Sequence, residues 1–390
     1  MTPAARTQAA IELLDMIADA AREGGAAADT LVARYFATRR YAGSKDRRAV
    51  RELVYAAIRS AGEVPPSGRA ALLLLADEDP AVAATFDGSA HGPAPIAPGE
   101  KRAGRGIAPA WLVEMLRLSS LSDEAMPALI SRAPLDLRIN TLKDAPEVEG
   151  AEPLPRVPAG LRLPSGTVVD QLPAFRDGAV EVQDEGSQIV GLALPVEPGQ
   201  RIVDLCAGAG GKTLALAARM ANEGALLACD TDRGRLSRLL PRAERAGVSI
   251  VETRLLDPGR EAEALVGWRG SADGMLVDAP CSGTGTWRRN PEARWRLTPK
   301  RLARLVETQA HVLSIAAPLV RPGGSLVYIV CSLLDEEGTG QVDRFLAAHP
   351  GWRAETPDLP AGRPHGHGVR LDPATDGTDG FFVARLIAPC

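Results

Sequence analysis

The sequence has few aromatic residues, few cysteines and no long apolar run. Aromatic residues make up 4% of the 390 residues, and the five cysteines stand far apart, at positions 206, 229, 281, 331 and 390. No pair has the CxxC spacing of zinc ligands, and the wide gaps exclude a dense disulfide framework. No apolar run approaches ~18 residues, so we expect no transmembrane helix.

The N-terminus and the net charge bear on location and partners. Residues 1–10 are polar and lack the apolar centre of a secretory signal peptide. We therefore expect a cytoplasmic protein with reduced thiols and no membrane contact. The net charge of −4 provides no global positive field, so binding to RNA or DNA would depend on local basic patches.

Composition and periodicity divide the chain into four segments. Apolar residues such as Ile11, Leu14 and Ile17 recur at helical spacing near the N-terminus. Alternation of apolar and polar residues over 135–142 predicts a strand. The predicted segments are a helical domain (1–90), a Pro/Gly-rich linker (91–108), a small α+β subdomain (109–178) and an α/β domain (179–390).

Strands and helices alternate in the predicted α/β domain. Short apolar strands separated by helices indicate a mostly parallel sheet covered on both faces. In such a sheet, ligands bind beyond the carboxyl ends of the strands. The expected strands are 201–206, 225–229, 249–253, 274–278, 325–331 and 380–387, and the expected helices are 186–194, 212–221, 232–246, 300–319 and 338–348.

The segment DLCAGAGGKT, residues 204–213, has three interpretations. A phosphate-binding P-loop needs a glycine where Cys206 stands, and a dinucleotide turn needs one where Thr213 stands. An S-adenosylmethionine site needs a glycine turn and an acid at the next strand end for the ribose hydroxyls, which Asp230 supplies. Asp230 could instead cap the following helix, although Asp232 could do that equally well.

Two later strands also end in reactive residues. The segment MLVDAPCSGTGTW ends a strand at Asp278 and continues to Cys281, and SLVYIVCSLLDEE ends a strand at Cys331. Taken singly, a strand-end cysteine is commonly a core residue, and a strand-end acid also occurs in ATPases. Cysteines, acids and a glycine turn at the strand ends of one sheet together favour an active site.

DLCAGAGGKT, VDAPCSGTG and VCSLLDEE, in this order and spacing, resemble the Sun/RsmB family of RNA cytosine-C5 methyltransferases. VQDEGSQ at 182–188 and LRINTL at 137–142 also resemble family segments, and the likeness covers roughly 130–390. GSKDRRAVRELVYAAIR is similar to the NusB-like RNA-binding domain of some members. The family usually has Ala-Pro where this chain has Gly208-Ala209.

The resemblance implies an α/β fold: a Rossmann-like class I methyltransferase sheet with helices on both faces, preceded by a small α+β subdomain and an all-α N-terminal domain. It implies that Cys331 is the nucleophile that attacks cytosine C6 and that Cys281 assists release of the product. It implies that Asp278 holds the base, and that Lys212 contacts the base or orients the nucleophile.

The resemblance also implies the cofactor, S-adenosylmethionine, and no metal. Asp257 would face the adenine, although it could be an ordinary turn acid before a proline. Cys229 is expected in the core, and Cys390 is expected to be incidental. The expected cofactor-binding residues are Cys206, Ala207, Gly208, Ala209, Gly210, Gly211, Lys212, Asp230, Asp257 and Asp278.

RNA is the expected partner, as a single-stranded or flipped-out cytosine. Two basic runs, 34–51 and 288–304, could contact it, and Trp287 and Trp295 could stack on bases. Either run could instead be a solvated helix face. We expect a monomer acting on ribosomal RNA; transfer RNA, a non-catalytic RNA-binding factor and a P-loop ATPase remain alternatives, and Pro280-Cys281 also matches the nucleophile of DNA enzymes.

Overall fold

Packing divides the chain into two units in the computed structural model, which covers residues 1–390. The first unit is Met1–Arg132 with Thr286–Thr298, and the second is Ala133–Gly285 with Pro299–Cys390. The predicted four-segment division remains a prediction, because packing does not show which segments fold alone.

The first unit is helical, as predicted for the N-terminal region. Helix α1 begins where the Thr2 hydroxyl accepts a hydrogen bond from the Ala5 amide, 3.1 Å away, and it ends at Gly24 with φ of +76°. Its apolar face packs into the core of this unit. The helices are α1 Pro3–Glu23, α2 Ala28–Ala37, α3 Ser44–Ser60, α4 Gly68–Ala76, α5 Pro80–Ala83 and α6 Ala110–Leu118, with a 3-10 helix at Met126–Ile130.

The Pro/Gly-rich segment 91–108 is a loop that packs on the first unit. It contains no helix or strand. The Ala103 amide donates to the Ala70 carbonyl at 3.0 Å, and the Gly62 amide donates to the Gly104 carbonyl at 3.0 Å. The segment is therefore hydrogen-bonded to other parts of the first unit and belongs to that unit.

The segment Thr286–Thr298 is part of the helical unit although it follows Cys281 in the chain. The Arg294 guanidinium donates to the carbonyls of Ile58 at 2.5 Å and Ala61 at 2.9 Å. Its side chain is fully buried, and burial lowers its pKa to about 9. This arginine therefore serves the packing of the unit.

The prediction that Trp287 and Trp295 are available to stack on RNA bases is wrong. Their exposed fractions are 0% and 4%. The Trp295 indole donates to the Ala61 carbonyl at 3.2 Å and packs in the helical core. Large aromatic rings gain more from burial than from a place on the surface.

The second unit contains a small antiparallel sheet. Its strand order is β2-β3-β1-β4, and Leu137 of β1 is fully buried beside Val180 of β4. The predicted strand over 135–142 is confirmed, but it ends at Ile139. The elements are β1 Leu135–Ile139, β2 Glu152–Pro153, β3 Gly160–Leu163, β4 Val180–Val182 and α7 Pro173–Arg176, with a 3-10 helix at Val169–Gln171.

The larger sheet of the second unit has the predicted Rossmann-like character. Strands β7, β6, β5, β8 and β9 are parallel neighbours, and β13, β12, β11 and β10 extend the sheet antiparallel. Apolar clusters lie against both of its faces. The strands are β5 Arg201–Asp204, β6 Ala225–Asp230, β7 Val251–Leu255, β8 Ala272–Asp278, β9 Val320–Val330, β10 Arg353–Glu355, β11 Arg363–His365, β12 Gly368–Leu371 and β13 Phe381–Ile387.

One predicted helix of this unit is divided in the structure, and the predicted helices 186–194 and 212–221 end two to three residues early, at Gly191 and Arg219. The predicted helix 232–246 is two helices, because the turn after Leu236 interrupts it before Leu239. None of the helices combines the length and the apolar character that a membrane span requires. The helices are α8 Glu185–Gly191, α9 Gly211–Arg219, α10 Arg233–Leu236, α11 Leu239–Ala246, α12 Glu261–Ala264, α13 Pro299–Ala316, α14 Thr339–Ala348 and α15 Pro373–Asp376, with 3-10 helices at Val266–Trp268 and Ala317–Leu319.

Arg294→Ala is expected to destabilise the helical unit by about 2–4 kcal/mol, because buried carbonyls lose their donor. Urea unfolding followed by circular dichroism measures the loss. Lys300→Ala removes an exposed cation from the same basic run and serves as the control. Equal effects of the two changes would contradict a packing role for Arg294.

Candidate active site

Four parallel strands bring the predicted site residues to one edge of the large sheet. Asp204 on β5 pairs with Leu276 of β8 and with Ala228 of β6. Asp278 at the end of β8 pairs with Ile329 of β9. Because the strands run in the same direction, their carboxyl ends lie side by side.

The glycine turn after β5 closes on itself, and one of its glycines has no room for a side chain. The Ala207 amide donates to the Cys229 carbonyl at 2.8 Å, and the Gly210 amide donates to the Ala207 carbonyl at 2.8 Å. Gly208 and Gly210 have φ values of +55° and +87°. A Cβ at Gly210 would lie 2.6 Å from Leu239 Cγ, so glycine is required there.

The carboxylate of Asp230 ties the end of β6 to the glycine turn. Its Oδ2 accepts the Gly208 amide at 2.7 Å, and its Oδ1 accepts the Asp232 amide at 2.7 Å. Asp232 caps α10 by accepting the Arg235 amide at 3.0 Å, so Asp230 is not the helix cap. Asp257 lies two residues beyond β7 and is exposed.

Asp204 lies beneath the turn and is sealed from solvent, with 1% of its surface exposed. The Thr213 hydroxyl donates to its Oδ2 at 2.7 Å, while its Oδ1 has no hydrogen-bond partner. Burial raises the pKa of Asp204 to about 7, although the Thr213 hydrogen bond opposes the shift.

Lys212 and Asp278 form an ion pair at the mouth of the site, with Nζ and Oδ2 2.7 Å apart. Burial alone would lower the pKa of Lys212, but the Asp278 carboxylate overrides that effect and leaves the pKa raised. Lys212 therefore keeps its positive charge beside the turn. Its Nζ also lies 5.6 Å from the centre of the Phe381 ring.

The two predicted catalytic cysteines are in contact. Sγ of Cys281 and Sγ of Cys331 lie 3.3 Å apart, and both residues are partly exposed and free of disulfide bonds. The hydrogen bond with Cys331, together with burial, raises the pKa of Cys281 well above its usual value. The sequence placed both cysteines at strand ends, but it could not show that they touch.

The other three cysteines lie away from this contact. Cys206, within the turn, has a pKa raised by burial and by the nearby carboxylates. Cys229 is fully buried, as predicted, and burial raises its pKa to about 12. Cys390 is exposed at the C-terminus.

Sequence reasoning missed two features of this region. Glu337 is fully buried beneath the loops of the two cysteines. The sequence does not distinguish it from the neighbouring acids. A cavity of about 190 Å³ adjoins Lys212, between α8 and α9, with Arg138 and Gln188 in its wall. No local sequence pattern signals a cavity between elements this far apart in the chain.

The sheet and the glycine turn, with Asp230 at the next strand end, place the chain in the class of Rossmann-like, S-adenosylmethionine-dependent methyltransferases. Residues 191–387 match the family described as 16S rRNA methyltransferase RsmB/F. The chain belongs to this family, and S-adenosylmethionine is its cofactor.

Two curated relatives carry the name ribosomal RNA small subunit methyltransferase B. The protein of Synechocystis sp., named as a probable one, is 36% identical over 300 residues, which are 71% of this chain and 66% of that protein. The protein of Xylella fastidiosa is 36% identical over 291 residues, which are 72% and 68% of the two chains. The chain thus spans about two thirds of the length of these relatives.

Solved structures share the fold. The crystal structure of PH0851 is similar with a TM-score of 0.76 at 24% identity, over 97% of this chain and 98% of that one. NSun6 from Pyrococcus horikoshii, solved with SFG, has a TM-score of 0.64 at 23% identity, over 72% of this chain and 98% of that one.

The residues around the turn fit S-adenosylmethionine. No atom lies within 4 Å of the Cβ positions built at Gly208 and Gly211, so open space adjoins the turn. The free amides at the start of α9 attract a carboxylate such as that of the methionine part. Asp230 stands where a carboxylate could accept ribose hydroxyls.

Asp204→Asn should change how stability depends on pH. Between about pH 4 and pH 7 the folded protein holds a proton on Asp204 that the unfolded chain has lost. The free energy of unfolding of the parent therefore falls as pH rises through this window. The stability of Asp204→Asn relative to the parent should be about 1–4 kcal/mol higher at pH 8 than at pH 5.

Thermal unfolding at the two pH values measures the difference for Asp204→Asn. Asp257→Asn removes an exposed carboxylate at another strand end and is the control. A gain for Asp204→Asn that is the same at both pH values would contradict a raised pKa for Asp204.

Proposed function

We propose that this protein transfers a methyl group from S-adenosylmethionine to C5 of a cytosine in RNA, through a transient bond between Cys331 and cytosine C6. The observation that carries the proposal is the contact between Cys281 and Cys331, 3.3 Å apart, at strand ends of the sheet that holds the cofactor turn. The names of its curated relatives favour ribosomal RNA as the substrate.

Cytosine C5 is a weak nucleophile and needs covalent activation. The thiolate of Cys331 adds to C6, and the electron pair of the C5–C6 double bond becomes available at C5. When bound, S-adenosylmethionine would supply the electrophilic methyl group, and S-adenosylhomocysteine would be the leaving group as the methyl bonds to C5. Loss of the C5 proton to water, with expulsion of the Cys331 sulfur, then restores the C5–C6 double bond.

The contact between the sulfurs supports different roles for the two cysteines. Cys281 retains its proton, because the hydrogen bond with Cys331 and burial raise its pKa. A thiol that keeps its proton can donate to the neighbouring sulfur and protonate it as it leaves. This favours Cys331 as the nucleophile and Cys281 as the group that assists release.

The ion pair of Lys212 and Asp278 is suited to hold the base. As the thiolate adds, electron density accumulates on the ring near N3. Asp278 is about one third exposed, so its carboxylate can reach a bound ring and accept a hydrogen bond from the exocyclic amine, or from N3 once that nitrogen takes up a proton. Lys212 holds Asp278 at 2.7 Å and adds a positive charge beside the cofactor turn.

The target base must leave any helix to reach Cys331. We propose a single-stranded or flipped-out cytosine, since a paired base cannot approach the strand ends. Transfer RNA is the second candidate substrate. One chain carries all of these groups, so we propose that it acts as a monomer, in the cytoplasm, where thiols stay reduced.

Cys281→Ala should trap RNA, whereas Cys331→Ala should abolish both methylation and trapping. Without the releasing cysteine, the bond to C6 persists, so an RNA–protein adduct survives a denaturing gel. Cofactor and a substrate transcript are incubated with each variant, and the shifted band is quantified. Cys390→Ala, at the exposed C-terminus, is the control and should behave as the parent.

The two variants also separate the alternatives. Trapping by Cys331→Ala instead of Cys281→Ala would reverse the proposed roles and match the Pro-Cys nucleophile of DNA enzymes. No methylation and no cofactor binding by the parent protein would favour a non-catalytic RNA-binding factor. Bisulfite sequencing of RNA from a deletion strain identifies the modified cytosine.

We propose a supporting RNA contact on the helical unit, in keeping with its NusB-like resemblance. Arg40, Lys45 and Arg48 are exposed between α2 and α3 and along the start of α3. Tyr41 is 72% exposed among them. Exposed cations beside an aromatic ring fit a phosphate backbone with an adjacent base.

Replacing Arg40, Lys45 and Arg48 together by alanine should weaken RNA binding and flatten its salt dependence. Each lost phosphate contact reduces the slope of log affinity against log salt by about 0.7 for single strands. Fluorescence anisotropy at several salt concentrations measures the RNA affinity and therefore this slope. The exposed cations Lys101 and Arg269, which lie outside both basic runs, supply alanine controls. Equal slopes for both sets would contradict the contact.

A further inference from the structure

The residues that directly follow the two cysteines meet at one buried carboxylate, that of Glu337. Its Oε1 accepts the Ser282 amide at 2.8 Å and the Gln309 side-chain amide at 2.9 Å. Its Oε2 accepts the Ser332 hydroxyl at 2.5 Å and also the Ser282 hydroxyl. One side chain thus bridges the loop after β8 and the loop after β9.

The partners of Glu337 are themselves anchored. Gln309 of α13 also donates to the carbonyl of Pro280 at 2.9 Å, directly before the releasing cysteine. The Tyr328 hydroxyl donates to the Glu337 main-chain carbonyl at 2.7 Å. The network therefore fixes the start of both loops to β9 and α13.

Burying a carboxylate costs free energy unless hydrogen bonds satisfy it. The Glu337 side chain is fully buried and receives four donors, two on each oxygen. We propose that Glu337 is a positioning residue that holds the loops of Cys281 and Cys331 at reacting distance. The inference rests on the proposed function, because only that chemistry requires the two sulfurs together.

The negative charge of Glu337 has a second consequence. The hydrogen bond to Cys331 and burial are the main causes of the raised pKa of Cys281, and the charge of Glu337 adds to them. The carboxylate therefore helps Cys281 keep the proton that it supplies on release. Position and charge can be separated by substitution.

Three substitutions of Glu337 divide these effects. Glu337→Gln keeps length and shape, and its amide group can face the serine hydroxyls, which also accept hydrogen bonds. Glu337→Asp keeps the charge but is one methylene too short to bridge both loops. Glu337→Ala removes both the charge and the bridging side chain. Glu336→Ala, at the exposed neighbouring position, is the matched control.

The rate of RNA trapping in the Cys281→Ala background reports on the position of Cys331. Adding Glu337→Ala or Glu337→Asp should slow trapping by about tenfold or more, because misplacement of a nucleophile is costly. Glu337→Gln should stay within about threefold of the background rate. The KM for RNA and the affinity for cofactor should change little.

Thiol alkylation separates positioning from a general loss of structure. With the charge removed, the pKa of Cys281 should fall, so iodoacetamide should modify it at lower pH in Glu337→Gln than in the parent. Mass spectrometry of the Cys281 peptide measures the profile. An unchanged profile would contradict a charged Glu337 beside Cys281.

The outcomes distinguish the two proposals. If Cys281→Ala traps no RNA with Glu337 intact, the proposed function fails. If it traps RNA and the added Glu337→Ala traps it equally fast, the function stands and the positioning role is overturned. Should Glu337→Ala fail to fold, Ser332→Ala carries the test: a slower rate supports the role, and an unchanged rate overturns it.

Discussion

The parallel pairing of β8 with β9 fixes the distance on which the proposed chemistry depends. Asp278 pairs with Ile329, and the Ala279 amide continues the ladder to the Ile329 carbonyl at 2.9 Å. The cysteines therefore leave adjacent strands at nearly the same height, with their sulfurs 3.3 Å apart. The apolar side chains of both strands are buried, and a slip of one residue would turn each to the opposite face. Core packing thus sets the spacing of the sulfurs.

Local features of the sequence predicted much of this site, whereas long-range contacts stayed hidden. The glycine turn, Asp278 and Cys331 follow apolar strands, so their position at one sheet edge was predictable. Glu337 follows two acids that look equally solvated in the sequence, and only packing makes it the buried one. The antiparallel strands β10 to β12 are short and partly polar, and they carry no periodic pattern strong enough to predict.

The basic run after Cys281 shows why charge alone is a poor guide to a nucleic-acid surface. Arg294 is fully buried and donates to main-chain carbonyls at 2.5 and 2.9 Å. Glu292 of the same run accepts the Ala28 amide at 3.0 Å, at the start of α2. A planar guanidinium presents five donors, so one buried arginine can satisfy several main-chain carbonyls that have no amide partner. Arg294 therefore holds the helical unit together, while Lys300 and Arg304 of the same run are exposed.

The glycine turn lacks the proline that the family usually carries, and other contacts hold it instead. The Arg242 guanidinium donates to the Ala209 carbonyl at 2.6 Å and to the Glu181 carboxylate at 2.6 Å. Asp230 accepts the Gly208 amide from the other side at 2.7 Å. A proline would restrict the backbone without any partner, whereas the Arg242 contact relies on Glu181 of β4 to hold the guanidinium. The small sheet therefore supports the order of the glycine turn through Arg242, which gives the sheet a structural role in the second unit.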